Sequence, residues 1–151
     1  MDALISEKIR SEKGFLGDAN GGAESGRIDL SKCNKLQFEV QLAAGVATTC
    51  SLNLRQHDAP SAGNSADLVS TVPHYKKTDA ETSFTRVDAN VAAVSELDTV
   101  AGTVLVEVYK EDLQDGYRYV SLQVANPGAA RIVSVSAHLD AKEKPAYQVE
   151  L

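Results

Sequence analysis

Three histidines, two cysteines and a few clustered carboxylates are the side chains of this 151-residue chain whose types could do chemistry. His57, His74 and His138 stand far apart. A metal site of the cupin kind needs a closely spaced histidine pair, a carboxylate and a further histidine, and no such spacing occurs. His57 falls at the edge of a loop and His138 on the outward side of a strand pattern, so solvent or an interface is the expected setting. The pair His57-Asp58, among many serines, suggests a hydroxyl nucleophile with an imidazole base. Adjacent side chains on an extended chain point apart, however, and no Gly-x-Ser-x-Gly elbow presents a serine. Cys33 as a thiol nucleophile lacks any flanking motif. Glu111, Asp112 and Asp115 carry oxygens suited to Ca²⁺, but their spacing departs from the EF-hand loop, and a solvated turn accounts for them. Gly14 to Gly22 has the glycines of a phosphate cradle without its strand-to-helix frame. The sequence offers no catalytic residue, no metal site and no cofactor, and the expectation is a protein that is not an enzyme.

Composition narrows the partners. The formal net charge is −6 and the pI about 5.0, which repels phosphate backbones and disfavours nucleic acid. The nearest approach to a basic cluster is Lys76-Lys77, read as a solvated turn. No apolar run approaches the eighteen or so residues of a membrane span, so no membrane partner is expected. The start, Met1 to Lys8, lacks the basic and long apolar segments of a signal peptide, which places the chain in the cytosol of the cell that makes it. Cys33 and Cys50 fit two reduced, partly buried thiols better than a disulfide framework. In particular, Cys50 alternates with Leu52 and Leu54 as a small core residue would. Aromatic residues are 5% and Trp is absent, so the core must be aliphatic.

The elements that would position any site have period two. Ile28 and Leu30 alternate with Arg27 and Asp29, and a polar turn, Ser31 to Lys35, follows. Leu36, Phe38, Val40 and Leu42 alternate with Gln37, Glu39 and Gln41, a strand apolar on one face and wet on the other. A turn at Ala43-Ala44-Gly45 leads to Cys50, Leu52 and Leu54, and the short gap predicts an antiparallel hairpin of these two strands. His57 to Ser65 reads as a loop. Asp67 to Val72 predicts a short strand ending at Pro73, and the surroundings of Phe84 and Arg86 another. Val91, Val94 and Leu97, three apart, suit one or two helical turns. Val104, Val106 and Val108 form one strand face. After the Asp115-Gly116 turn come Val120, Leu122 and Val124, then a turn at Asn126-Pro127-Gly128. The last strand runs from Arg131 to Leu139, with Val133, Val135, Ala137 and Leu139 inward and Ser134, Ser136 and His138 outward.

Short one-faced strands with frequent turns, and no helix long enough for a parallel crossover, predict an all-β protein: a jelly-roll-like antiparallel β-sandwich. The domain boundaries that follow are an extended, glycine-rich N-terminal arm over 1–26, the sandwich over 27–140 and a polar C-terminal tail over 141–151. The arm's apolar residues Ile5, Ile9, Phe15 and Leu16 are candidate contacts to a partner, because an unstructured segment can add as a strand to an exposed sheet edge.

Two stretches carry a family resemblance. The run Ser25-Gly26-Arg27-Ile28-Asp29-Leu30-Ser31-Lys32, Leu36 to Val40, and Ala47 to Ala59 resembles the opening of small bacteriophage structural proteins. Tyr117 to Val124 with Ala130 to Ala137 resembles their ending. The likeness spans roughly residues 25 to 140 and is weak through 65 to 100. It implies a jelly-roll part of a tailed-phage virion, often a capsid decoration (cement) protein bound to the outside of the head. Such proteins commonly sit as homotrimers on the major capsid protein and stabilise its contacts; they are made in the bacterial host cytoplasm. Two other readings compete. One is a neck, tail or fibre-associated phage component. The other is a β-sandwich carbohydrate-binding module for host attachment, with Tyr117 and Tyr119 on one strand face as a small platform.

Overall fold

Alternation of buried and wet residues governs the architecture. A computed structural model describes residues 9–18, 22–44, 51–89, 100–125 and 132–141. In chain order the strands are β1 (Ile9–Asp18), β2 (Ala23–Glu24), β3 (Ile28–Asp29), β4 (Cys33–Leu42), β5 (Leu52–His57) and β6 (Ser65–Asp67). β7 (His74–Thr78), β8 (Thr85–Val87), β9 (Gly102–Val108), β10 (Tyr119–Val124) and β11 (Ile132–Ala141) follow. One sheet has the order β1-β11-β4-β9-β7-β8, and the other β2-β10-β5-β6, with β3 also on β10. All these pairings are antiparallel. The two sheets form a β-sandwich around one core.

The core lies between the sheets because each strand turns its apolar residues the same way. Leu36, Phe38, Val40 and Leu42 of β4 meet Val104, Val106 and Val108 of β9 on one side. On the other they meet Val133, Val135, Ala137 and Leu139 of β11. Leu52, Leu54, Val120, Leu122 and Val124 supply the facing layer. Burying each such side chain stabilises the fold by about 1.5–3 kcal/mol. Phe38, 0% exposed, is the bulkiest fully enclosed side chain among the described residues.

Pairing follows a single long ribbon. The first strand pairs with the last (β1 with β11), the second pair with the last but one (β2 and β3 with β10), β4 with β9, and β5 with β6. The β7–β8 hairpin extends the larger sheet beyond β9. An ion pair ties the far ends of this ribbon together. Arg118 donates from Nε to Asp29 Oδ1 at 2.8 Å and from Nη2 to Oδ2 at 2.5 Å. Asp29 also accepts from the Ser31 amide at 2.9 Å and hydroxyl at 2.7 Å, which starts the 3₁₀ turn Leu30–Lys32. Partial burial pushes the Asp29 carboxyl upward, but the hydrogen bonds from Arg118 and Ser31 outweigh it and bring the value to about 2.

The structure corrects several expectations. β4 and β5 are not a hairpin: β4 lies between β11 and β9, while β5 lies between β10 and β6 in the opposite sheet. The apolar face of β5 is buried as well across the sandwich as it would be beside β4, and the connection is long enough to cross the roughly 10 Å between layers. The strand expected at Asp67–Val72 sits earlier, at β6, and Leu68 and Val72 are buried outside any strand. Cys33 opens β4, fully buried, rather than belonging to a polar turn. Lys76 and Lys77 lie in β7, with Lys77 Nζ 5.2 Å from the Phe84 ring centre. Ile9–Asp18 is a strand on β11 of the same chain. Ile5, Cys50, the predicted turns at Val91–Leu97 and Asn126–Gly128, and residues 142–151 lie outside the described residues. Among the described residues no helix is long and apolar enough to cross a membrane.

Three substitutions test this packing. Phe38→Ala should cost about 3–5 kcal/mol of unfolding free energy in urea titration. Gly63 has φ +71°, and an added Cβ would lie 2.3 Å from Asp58 Oδ1. Gly63→Ala should therefore cost more than the roughly 1–2 kcal/mol of left-handed backbone alone, whereas Gly116→Ala, also at positive φ but with open space around it, should lose only that backbone part.

Candidate functional site

The polar residues that the sandwich gathers most closely lie on the smaller sheet. Continuing the alternation of Leu52 and Leu54 puts Gln56 inward and Arg55 and His57 outward. On β10 the same rule places Ser121 outward between Val120 and Leu122. Yet His57 is 1% exposed and Ser121 0%. A loop covers them. Arg27 Nη1 donates to the carbonyls of Ala59 at 3.0 Å and Ala62 at 2.6 Å, and its Nη2 approaches Ser65 Oγ at 3.4 Å. Asp58 accepts from the amide and the side chain of Asn64, at 2.9 and 3.0 Å, closing the loop on itself.

Beneath this cover, one residue from each of four adjacent strands forms a chain of hydrogen bonds. His57 Nδ1 lies 2.6 Å from Ser65 Oγ, and Nε2 lies 2.7 Å from Ser121 Oγ. Ser121 Oγ in turn donates to Glu24 Oε1 at 2.5 Å, and Glu24 Oε1 is 3.4 Å from His57 Nε2. Because the Ser121 hydroxyl spends its proton on the bond to Glu24, its oxygen must accept from Nε2–H, and Nδ1 must accept from the Ser65 hydroxyl. That assigns the neutral Nε2–H tautomer by satisfaction of the network. Arg55 stands beside this chain, with Nη1 3.7 Å from Glu24 Oε2 and Nε 3.9 Å from Asp67 Oδ1.

Hydroxyl, imidazole and carboxylate are thus together, and their arrangement decides what they can do. Acyl transfer needs the carboxylate on the ring nitrogen opposite the one facing the nucleophile. Here Ser121 and Glu24 share Nε2, and Nδ1 faces another hydroxyl. Ser121 is also sealed from solvent, so no substrate carbonyl reaches it. The network's work is to join β2, β10, β5 and β6 across the sheet. Gln56, on the other face, does similar work. Its Nε2 donates to the Asp67 carbonyl at 3.2 Å and Gln114 Oε1 at 2.6 Å, and its Oε1 accepts from the Gln114 amide at 3.0 Å.

Sequence reasoning placed His57 at a solvent edge and gave all three histidines a solvent or interface setting. Two are buried, His57 and His74 (3% exposed); His74 Nδ1 lies 2.9 Å from the Ala89 carbonyl. The third is half-buried on the outer face, 3.1 Å from Glu39: His138. The available signal was Gln56 itself, a polar residue on the inward side of an apolar stripe next to His57. Glu111 and Asp112 form a 3₁₀ turn, Lys110–Asp112, and among the described residues no three His, Cys, Asp or Glu side chains are grouped as metal ligands. Of the arm residues, Ile9, Phe15 and Leu16 stand in register opposite Asp140, Val135 and Ser134. Tyr117 packs against the core, and Arg118 lies 5.5 Å over the Tyr119 ring.

Burial pushes the His57 imidazole below its ordinary 6.5; Arg27 and Arg55 push the same way, against Glu24 and Asp58. The folded protein therefore holds this ring neutral where the unfolded chain takes up a proton. Stability from this site is complete above 6.5 and falls as the pH drops below it. The urea midpoint should fall between about pH 7.5 and about pH 5.5. His57→Gln should be less stable at neutral pH and show a shallower fall, measured on both proteins in parallel.

No family model and no curated protein matches the chain. Among solved structures, a chain in the structure of infectious bursal disease virus Gt strain is similar at 12% identity and a TM-score of 0.23, over 88% of this chain and 36% of that one. This chain spans about a third of that one's length, and a likeness of this size carries no argument about function.

Proposed function

We propose that the chain is a structural part of a tailed-phage particle: a decoration (cement) protein that binds the outside of the head as a homotrimer and stabilises contacts between major capsid subunits. Its mechanism is association alone, without catalysis, metal, cofactor, nucleic acid or membrane. The motifs of residues 25–40, 47–59, 117–124 and 130–137 support this reading, since their described parts supply β3, β4, β5, β10 and β11. The wrapped-ribbon pairing supports a jelly roll, an architecture that capsid proteins and lectins share, so it bears on the fold and leaves the role to other features.

The observation that carries the reading is the position of β1. This ten-residue strand is one of the two edge strands of the larger sheet, and it is held there by β11 alone among the described residues. Its other edge presents backbone N–H and C=O groups, a template for a strand of a neighbouring protein. On a shell with many copies, even a weak contact of this kind sums to firm attachment.

Purified chain added to tailed-phage heads lacking it should bind saturably, and its native mass should be three times that of one chain. Removing residues 1–18 should leave a β-type circular dichroism spectrum and weaken occupancy on heads by about tenfold or more. Full-length protein that stays off the heads would sink the reading. Undiminished occupancy of the shortened chain would instead remove β1 from the contact.

A further inference from the structure

A second surface, remote from β1, has the makings of a small-molecule site. On the outer face of the larger sheet, β8, β7 and β9 bring Arg86, Tyr75 and Leu105 into one cross-strand row. At the neighbouring end of this face, Pro73, Glu107, Tyr109 and Asp112 join Tyr75 and Arg86 around a groove of about 280 Å³. Tyr109 is 42% exposed but is fixed in place. Its amide donates to Asp112 Oδ2 at 2.8 Å, and its hydroxyl donates to Glu107 Oε2 at 3.3 Å. Glu107 is held in turn, with Oε1 accepting from Lys35 Nζ and Gln37 Nε2, both at 3.3 Å. Arg86 is anchored on its outer side by Asp88 at 2.7 Å. The groove is therefore a preset arrangement of two aromatic rings, one guanidinium and two carboxylates.

We infer that this groove binds a neutral sugar ring between Tyr75 and Tyr109. The argument is one of matching groups. A pyranose has apolar C–H faces, which pack on aromatic rings, and a rim of hydroxyls that both donate and accept. Glu107 and Asp112 accept from such hydroxyls, and Arg86 donates to them. The competing ligand classes fit less well. A phosphate would face two carboxylates, and an organic cation would face Arg86 with Lys35 behind Glu107. An apolar molecule would strip water from charged groups without replacing their hydrogen bonds. The volume lies at the lower limit of ligand clefts, about 300 Å³, which suits one ring and excludes a long chain lying flat within it. The site differs from the Tyr117–Tyr119 platform expected from the sequence, and it is independent of the virion role proposed above.

The chain has five tyrosines and no Trp, so tyrosine emission is not masked by tryptophan, and comparison with Tyr109→Phe isolates the share from this groove. The full chain should be titrated with glucose, galactose, mannose and N-acetylglucosamine and their short oligomers, with saturation-transfer NMR on the same samples. At least one sugar should bind saturably. Tyr109→Ala should weaken that binding about tenfold, the loss of one stacking contact, and Glu107→Gln should weaken it as well. Tyr109→Phe, which keeps the ring, should retain most of it, and Tyr117→Phe all of it. No saturable signal with any of these sugars would overturn the inference. So would equal affinity in a Tyr109→Ala protein of native circular dichroism, or binding of inorganic phosphate in place of sugar.

Discussion

Exclusion of water from one face of each strand is the constraint on which the rest of this structure depends. A strand with Leu36, Phe38, Val40 and Leu42 on one side and glutamine or glutamate on the other has only one way to lie. When several such strands come from one chain, their apolar sides meet only if the ribbon folds over into two layers. A one-residue slip between β4 and β11 would turn the whole set of β4 apolar side chains into solvent. The register Val40↔Val135 and Phe38↔Ala137 is thus set by hydrophobicity and needs no aromatic anchor beyond Phe38. Valine's preference for extended backbone lets an aliphatic core suffice.

Polar groups then settle where the layers permit. The outer face of the smaller sheet would normally be wet, but His57 and Ser121 are sealed there among their neighbours. Every hydrogen-bonding atom of the His57 ring finds a partner there, which is the condition for burying such a group at tolerable cost. On the larger sheet, outward residues such as Tyr75, Arg86 and Glu107 are partly or largely exposed, so their polar atoms remain available to a ligand. The same fold thereby carries a sealed polar band on one side and an accessible groove on the other.

The fold was legible in the sequence to the extent that burial is one-sided. β4, β9 and β11 alternate so clearly because one face is partly wet, while β10 alternates in residue type although its outward Ser121 is sealed. The partners were harder to read. A stripe such as Leu52–Leu54 says that a face is covered, but a neighbour in the same sheet and a strand across the sandwich cover it equally. Hence β5 was paired with β4 in expectation and lies opposite it in fact. β6 was misplaced because Leu68 and Val72 are buried without belonging to a strand. The His57 network escaped because its members come from positions 24, 57, 65 and 121, and only the wrapped ribbon makes them neighbours. Tyr75 and Tyr109 became a pair for the same reason.

The pairing of first strand with last has a temporal side. During translation Ile9 leaves the ribosome long before Asp140, its partner in the finished sheet, and β4 emerges before both strands that flank it. Nascent chains must hold unpaired, apolar-faced strands until almost the whole domain has been made. Closing such long loops is entropically costly and makes assembly slow, and exposed strands invite misassociation meanwhile. A topology that pairs an early strand with a late one thus delays its last sheet contacts until both have been made.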